Sequence, residues 1–503
     1  MIAHEGSVMV RLGAVRRIRA VPAALLVAIA ATVNFLGGLG EPAHPIWDES
    51  YYLTAVERYE EGIAQFASHP PLALMLIAGG DALLHPNRGL HLHPIGVDKK
   101  VSGEDLPKGY SFAGVRLASG VFSVVGSVLF FALMLALTGS PLAALVLSNL
   151  FVFQNAFVVH FRAAQLDGFQ VAFSIAAILA FVKAAQRGAR SAPWLDLAYG
   201  ASCGLALMVK LNAAALGMLG VLVIAQRIAL GWRNGSRASL LARTARDGAL
   251  MAGGCLAVVV LVLTAHVLVS PRPPDGATPA GRKDLGFITP IYSQYLHRKR
   301  ALSPAVLIDA GRDYYRFIID DFDGVPRTDS NGSAPILWPL HRGTINYRWD
   351  SDDDHTAYVQ LAGNPVAWFL STLALVAAAA LLVAAAVRPV PASLPWRRSL
   401  MAMLLVQYIA FMAVHAYIGL QRVMYLYHYF IALVLALALV PLVISEAEDR
   451  WPGLRARRGA LGVTMLVLVW VGFLYYAPLT FHWPITHREC EWENVLQHVV
   501  NCQ

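Results

Sequence analysis

Residues 365–387 read PVAWFLSTLALVAAAALLVAAAV, 23 positions without one charged side chain. An α-helix rises about 1.5 Å per residue, so about 20 apolar residues cross the hydrocarbon layer of a bilayer. Pro365 suits the first turn of such a helix, and Arg388 follows its end. Working outward, runs of the same character lie near 20–40, 113–137, 141–160, 167–186, 196–209, 212–229, 249–269, 400–418, 425–444 and 460–477, which makes about eleven spans. The runs at 196–209 and 212–229 are short and meet at Lys210-Leu211-Asn212, so they read as two spans or as one broken helix. The first run follows a basic segment but is too long for a cleavable signal, and no small-x-small site precedes Glu41.

Composition agrees. Of 503 residues, 57% are hydrophobic and only 14% charged, and the mean hydropathy is +0.54. Soluble proteins carry about 25% charged residues. A water-soluble enzyme and a disordered chain are both excluded. The net charge of +8 does not mark a nucleic-acid binder, because it sits in short clusters between apolar runs. Four cysteines exclude a disulfide scaffold. Cys203 and Cys255 fall inside spans and read as core residues, while Cys490 and Cys502 are a candidate pair if their compartment is oxidising.

The clusters orient the chain. Arg11, Arg16, Arg17 and Arg19 precede the first span, and Lys183, Arg187 and Arg190 follow the fourth. Arg227, Arg233, Arg237, Arg243 and Arg246 follow the sixth, Arg388, Arg397 and Arg398 the eighth, and Arg450, Arg455, Arg457 and Arg458 the tenth. Eleven alternating spans put all five clusters on one side, which the positive-inside rule makes cytoplasmic together with the N-terminus. Segments 41–112 and 270–364 and the tail 478–503 then lie outside. The whole chain, 1–503, reads as a single membrane-embedded domain. Segment 271–284 and the acidic run Asp350, Asp352, Asp353, Asp354 read as mobile loops.

Polar groups at the outer ends of spans are the candidates for chemistry. Trp47-Asp48-Glu49 follows span one. Two adjacent carboxylates there are either a solvated helix start or a general base with a neighbour that orients an acceptor or a cation. His69-Pro70-Pro71 closes an amphipathic stretch, with His69 a functional group or a helix-breaking cap. Arg116, Arg162, Lys210 and Arg422 each sit at an outer helix end, with His428 shortly after Arg422. Singly these cations read as snorkelling side chains; together they could form a pocket for a phosphate at membrane depth. Arg162 and Asp167 bracket one turn and could instead pair with each other. Tyr292, Tyr295, Tyr314, Tyr315, Trp338, Tyr347 and Trp349 are boundary anchors or stacking surfaces for a sugar. His91-Leu92-His93 lacks the partners of a zinc site, and no Gly-rich nucleotide loop appears.

Taken in order, these residues resemble the protein O-mannosyltransferases, integral-membrane glycosyltransferases of the GT-C class. The matching motifs are Asp48-Glu49 and His69-Pro70-Pro71-Leu72, then Tyr110 with Arg116-Leu117, and Asn155, Arg162, Leu166-Asp167. Further along come Gly204 with Lys210, Gly363-Asn364-Pro365 with Trp368, Arg422 with Tyr427-His428-Tyr429, and 477–480, Ala-Pro-Leu-Thr. The resemblance implies an all-α polytopic GT-C architecture with two long outer loops. It implies an inverting transfer of mannose from a polyprenyl phosphate to a Ser or Thr hydroxyl of a protein. Asp48 and Glu49 would be catalytic, Arg116, Arg162 and Arg422 would bind the donor phosphate or pair with these carboxylates, Lys210 would bind the donor phosphate, and His69, Asp167, Asn155 and His428 would support them. Some relatives in the wider fold hold a divalent ion near the acidic motif, but Asp48 and Glu49 are too few ligands to place one. Segment 270–364 is too short for the β-trefoil domain of the eukaryotic enzymes, which resembles the bacterial branch and places the chain in a bacterial plasma membrane. It also leaves no long loop to grip a polypeptide, so a lipid or glycan acceptor is the alternative. A transporter is the reading from another class, but the two halves show no matching interrupted helices and the polar groups gather at one face. Oligomeric state is not encoded visibly.

Overall fold

The computed structural model describes residues 20–232 and 237–502; the cluster Arg11, Arg16, Arg17 and Arg19, and Arg233, lie outside them. Every expected span is helical. The first is α1 (Ala20–Leu36). Between it and the second lie α2 (Glu49–Glu60) and α3 (Leu72–Leu84). Then come α4 (Ala113–Thr138), α5 (Pro141–Val152), α6 (Asn155–Arg162), α7 (Asp167–Gln186), α8 (Pro193–Leu207), α9 (Gly217–Gly231) and α10 (Arg237–Val269). Among the described residues eight helices are long and apolar enough to cross a membrane. The pair α5 and α6, bent by 62°, is apolar enough to make a ninth if the two are taken as one broken span. Helices α1 and α8, at the other two expected positions, are shorter. Met208, Val209 and Lys210 divide α8 from a tight turn, Leu211–Leu216, that leads into α9, so the sequence's two short runs are separate helices.

Segment 270–364 folds into α11 (Pro279–Leu285), α12 (Pro290–Leu296), α13 (Pro304–Asp323) and two strands, β1 (Ile345–Ser351) and β2 (Thr356–Leu361). Helices α14 (Pro365–Val387), α15 (Arg397–Ile418), α16 (Phe430–Arg450), α17 (Pro452–Ala456), α18 (Arg458–Tyr475) and α19 (Ala477–Thr480) complete the bundle. The tail adds β3 (Pro484–Ile485) and α20 (His487–Glu493). The strands form an antiparallel sheet, β1-β2-β3, with Trp349 opposite Tyr358 and Thr356 opposite Ile485. This sheet is an addition to a helical fold. It also revises the loop expectations. Asp350 lies in β1, paired with Arg348 and with His482 at 2.9 Å, and Asp352 turns the hairpin by accepting from the backbone of Asp354 and His355. Segment 271–284 carries the start of α11, whose buried Asp284 pairs with Arg58 and, at 2.6 Å, with Lys99. Cys490 and Cys502 form a disulfide that closes the tail.

Most of α7 and α16 is buried, whereas less than a third of the apolar stretch of α10, α14 or α18 is, so the first two form the centre and the others the rim of the bundle. Close crossings use glycine. A Cβ on Gly200 or Gly204 of α8 would meet the Met251 or Cys255 carbonyl oxygen of α10 at 1.9 or 2.8 Å, and Gly254 returns the contact at Leu197. One end of the bundle is tied by buried ion pairs: Arg227 with Asp196 and Asp247, both at 2.8 Å, and Arg397 with Glu446 and Asp449. The opposite end carries the candidate chemistry.

Candidate active site

Trp47 has φ +51°, a left-handed backbone that a bulky side chain adopts only under constraint. The constraint is visible: its ring stacks on Tyr347 at 5.0 Å and meets Tyr425 edge-on at 5.6 Å. The next two residues have different surroundings. Glu49 is buried and accepts from Arg116 Nε and Nη2, both at 2.8 Å, and from the backbone N–H groups of Ile46 and Ala164. Arg116 gives its remaining N–H groups to the carbonyls of Leu39, Pro42 and His44. A guanidinium has five N–H donors, and all five are occupied. Of the two partners expected for Arg116, the donor phosphate and the acidic pair, the structure gives it the second: buried beside Glu49, it clamps the first outer segment.

Asp48, by contrast, is half-buried and its carboxylate has no hydrogen bond or ion pair among the described residues. Burial raises its pKa, with Asp167 adding to the rise and Lys210, Lys100 and Arg422 opposing it, so that it stands at about 6. Asp167 opens α7, where a helix N-terminus favours negative charge. It accepts from Lys210 Nζ at 2.7 Å and meets His160 Nε2 at 2.8 Å. The other ring nitrogen of His160 meets the Tyr347 hydroxyl at 2.6 Å. Lys210, His160 and Tyr347 thus form one buried chain ending against Trp47. Arg162 does not pair with Asp167. It donates to the carbonyls of Gly37 and Gly38, at 2.6 and 3.1 Å, and lies over the Phe481 ring.

Arg422, like Arg162, has no carboxylate within ion-pairing distance among the described residues. Its guanidinium lies 5.0 Å from the Phe322 ring, its Nε has no partner, and its charge is felt by both Asp48 and His69. The His69 imidazole has no hydrogen bond among the described residues, while its carbonyl accepts from the Tyr314 hydroxyl at 3.0 Å. Burial first, then the charges of Lys210 and Arg422, push the imidazole down to about 3, so it is neutral. The His428 ring stacks on Tyr427 at 4.6 Å, with Nδ1 against the Tyr425 backbone. Asn155 donates to the Phe473 carbonyl and the Thr480 hydroxyl, which ties α6 to α18 and α19. The Gly363-Asn364-Pro365 motif is likewise architectural. A Cβ on Gly363 would stand 2.1 Å from Trp368 Cε3, and Asn364 caps α14 while donating to Phe153 and Val469 carbonyls.

The structure thus gathers Asp48, His69, Asp167, Lys210, Arg422 and His428, and gives Glu49, Arg116, Arg162 and Asn155 to scaffolding bonds. His160 was missed in the sequence; its signal was an ionisable side chain inside the apolar run Phe157 to Phe161. In the sequence Tyr347 is one aromatic among several. For a divalent ion the donor set does not fit. Among the described residues no three His, Cys, Asp or Glu side chains converge, and with Glu49 bound to Arg116 the acidic pair offers Asp48 alone.

Comparison with known proteins follows this geometry. Residues 25–268 match the family model of dolichyl-phosphate-mannose-protein mannosyltransferase, and residues 321–499 that of the C-terminal four-span region of protein O-mannosyltransferase. No curated protein sequence matches the chain at a significant level. Among solved structures, the Saccharomyces cerevisiae protein O-mannosyltransferase Pmt1-Pmt2 complex bound to the sugar donor superposes with TM-score 0.77 and 15% identity, covering 95% of this chain and 92% of that one. That match shows the GT-C fold. The Archaeoglobus fulgidus oligosaccharyltransferase AglB (TM-score 0.46, 10% identity, 96% of this chain and 56% of that one) and Cupriavidus metallidurans ArnT bound to undecaprenyl phosphate (0.34, 14%, 84% and 77%) are more distant. The two family models together take in most of the chain, which belongs to the protein O-mannosyltransferase family.

Proposed function

We propose that Asp48 is the base with which this membrane mannosyltransferase moves a mannosyl residue from a polyprenyl-phosphate-mannose to a Ser or Thr hydroxyl of a protein. The single observation that carries the assignment is the contrast at 48 and 49: one carboxylate unpaired in the field of Lys210, Lys100 and Arg422, the other held by four hydrogen bonds. The Asp48 carboxylate takes the proton of the acceptor hydroxyl as its oxygen attacks the anomeric carbon. The bond from that carbon to the phosphate oxygen breaks, the phosphate leaves with the electron pair, and the anomeric centre inverts. Arg422 and the two N–H groups of Lys210 not facing Asp167 are the donors available for the growing negative charge on the phosphate. His69 is a neutral hydrogen-bonding group at the same site. The family match supports the donor and the protein acceptor; a lipid or glycan acceptor has no observation of its own. The distribution of basic residues supports a site facing the outside, the periplasmic side of a bacterial plasma membrane.

The test is transfer of radiolabelled mannose from its polyprenyl phosphate in membranes, with protein and lipid fractions counted separately. Label should enter protein with the wild type and be lost in Asp48→Asn. Label in the lipid or glycan fraction would overturn the acceptor, and full activity in Asp48→Asn would overturn the base.

A further inference from the structure

Helix α13 crosses the outer end of α10. A Cβ on Gly311 would stand 3.1 Å from Leu263 Cδ1, and Val267 packs in one cluster with Val306, Ala310, Tyr314 and Phe317. Leu263 lies six residues before the end of α10 at Val269, a depth of roughly 9 Å. The same end of α10 exposes Leu261, Leu268 and Val269. Helix α13 therefore lies beside a lipid-facing stretch of a span.

Its outward face fits that position. Ile308, Tyr315 and Ile319 are exposed, Ile308 by 68%, and fall on one side of the helix; Arg312 and Arg316 are exposed among them but pair with Asp309 and Asp313 of the same helix, at 3.2 and 4.0 Å, and Asp323 is exposed on the same side. The opposite side, Val306, Ala310, Tyr314 and Phe317, is already buried in protein. A helix with one face in protein and another of isoleucine, tyrosine and arginine suits the boundary between headgroups and acyl chains. Just before it, Arg298, Lys299 and Arg300 are exposed, and none has a carboxylate within ion-pairing distance among the described residues. With Pro271 and Tyr295 they line a shallow cleft of about 460 Å³. Pro271 is two residues past the end of α10, so this cleft opens at headgroup level. Three adjacent cations stand here at the end of the bundle that the positive-inside rule depletes.

We propose that the 298–300 loop is a docking site for anionic phospholipid headgroups in the leaflet on the site's side of the membrane, with the isoleucine and tyrosine face of α13 lying against the acyl boundary beside it. Arginine forks match phosphate oxygens, and each cation near an anionic surface adds attraction. The surface is joined to the site, because Tyr314 of the same helix holds the His69 carbonyl.

The full chain would be reconstituted in nanodiscs of phosphatidylcholine with and without phosphatidylglycerol. Spin labels on Ile308→Cys and Ile319→Cys, in a Cys203→Ala/Cys255→Ala background, should be relaxed by oxygen more than by an aqueous nickel chelate. Stronger relaxation by nickel would overturn the proposal, because the face would be in water. Protection from both agents would overturn it in favour of a second protein chain on this face. Native mass spectrometry supplies the headgroup arm. The triple variant Arg298→Ala/Lys299→Ala/Arg300→Ala should retain phosphatidylglycerol roughly tenfold less well than the wild type. Unchanged retention would overturn the assignment to anionic headgroups.

Discussion

A carboxylate held by four hydrogen bonds is poorly placed to take a proton from a substrate, and Glu49 is in that state. Removing its charge leaves Arg116 buried without a counter-ion, which costs about 3–5 kcal/mol. Glu49→Gln should therefore lower the thermal midpoint of the purified protein, and an unchanged midpoint would contradict the clamp. Asp48→Asn should leave that midpoint unchanged or raised, because the carboxylate it replaces has no partner, yet it should cut transfer by about 10²-fold or more. The pH profile separates Asp48 from His69. Burial holds the Asp48 carboxyl at about 6, above its ordinary value, so it is protonated below that pH and charged above it. Transfer should fall tenfold per pH unit below about 6 and flatten above it. The His69 imidazole stands at about 3, so His69→Gln should leave the shape of that limb unchanged even if the rate falls. A limb that moves in His69→Gln would reassign the titration. The sequence made the acidic pair legible but not its division of labour. That division depends on Arg116, 67 positions from Glu49, and on the backbone N–H of Ala164, 115 positions away.

Helices were the most legible elements, since a charge-free run of about 20 residues has few alternatives. Less legible were the 62° bend between α5 and α6 and the short turn from α6 into α7, across which His160 meets Asp167 seven residues later. The β1-β2 hairpin was hidden because short, mixed-polarity strands give a weak periodic signal, and it carries Tyr347 to His160 across 187 residues. The glycines of two family motifs, Gly204 and Gly363, are packing solutions. Gly363 leaves room for the Trp368 ring, and Gly204, with Gly200 one turn earlier, lets α8 lie on the backbone of α10. Gly363→Ala and Gly204→Ala should each destabilise the protein by about 1–3 kcal/mol through overpacking. Gly462 in α18 has nothing within 4 Å of an added Cβ, so Gly462→Ala should be neutral or stabilise by up to about 1 kcal/mol. Thermal midpoints of the three variants in one detergent decide the matter. A destabilised Gly462→Ala together with an unaffected Gly363→Ala would contradict these helix contacts.

For the whole molecule, the two ends of the bundle differ in how they use charge. At one end Arg227 and Arg397 are buried and neutralised by carboxylates from neighbouring helices. They still count toward orientation, because the positive-inside rule follows Lys and Arg in short loops rather than net charge. Exposed Arg187, Arg190 and Arg243 add to them at that end. At the other end, Glu49, Asp48 and Asp167 share a small region with Arg116, Lys210 and Arg422, and the hairpin and the disulfide-closed tail lie on the same side. A lipid-linked donor needs this arrangement, since its phosphate stays at the interface while its chain remains in the membrane. The orientation is therefore a statement about where the acceptor must be. In a Cys203→Ala/Cys255→Ala background, Asp353→Cys in the hairpin corner should react with a membrane-impermeant maleimide in intact cells. Arg190→Cys should react only after the membrane is opened. The reverse pattern would move the acceptor to the cytoplasm and remove the support that the basic clusters give to an outward-facing site. Labelling of both positions in intact cells would mean that Asp353 and Arg190 lie on one side, against the alternation of spans from which the positions of the loops follow.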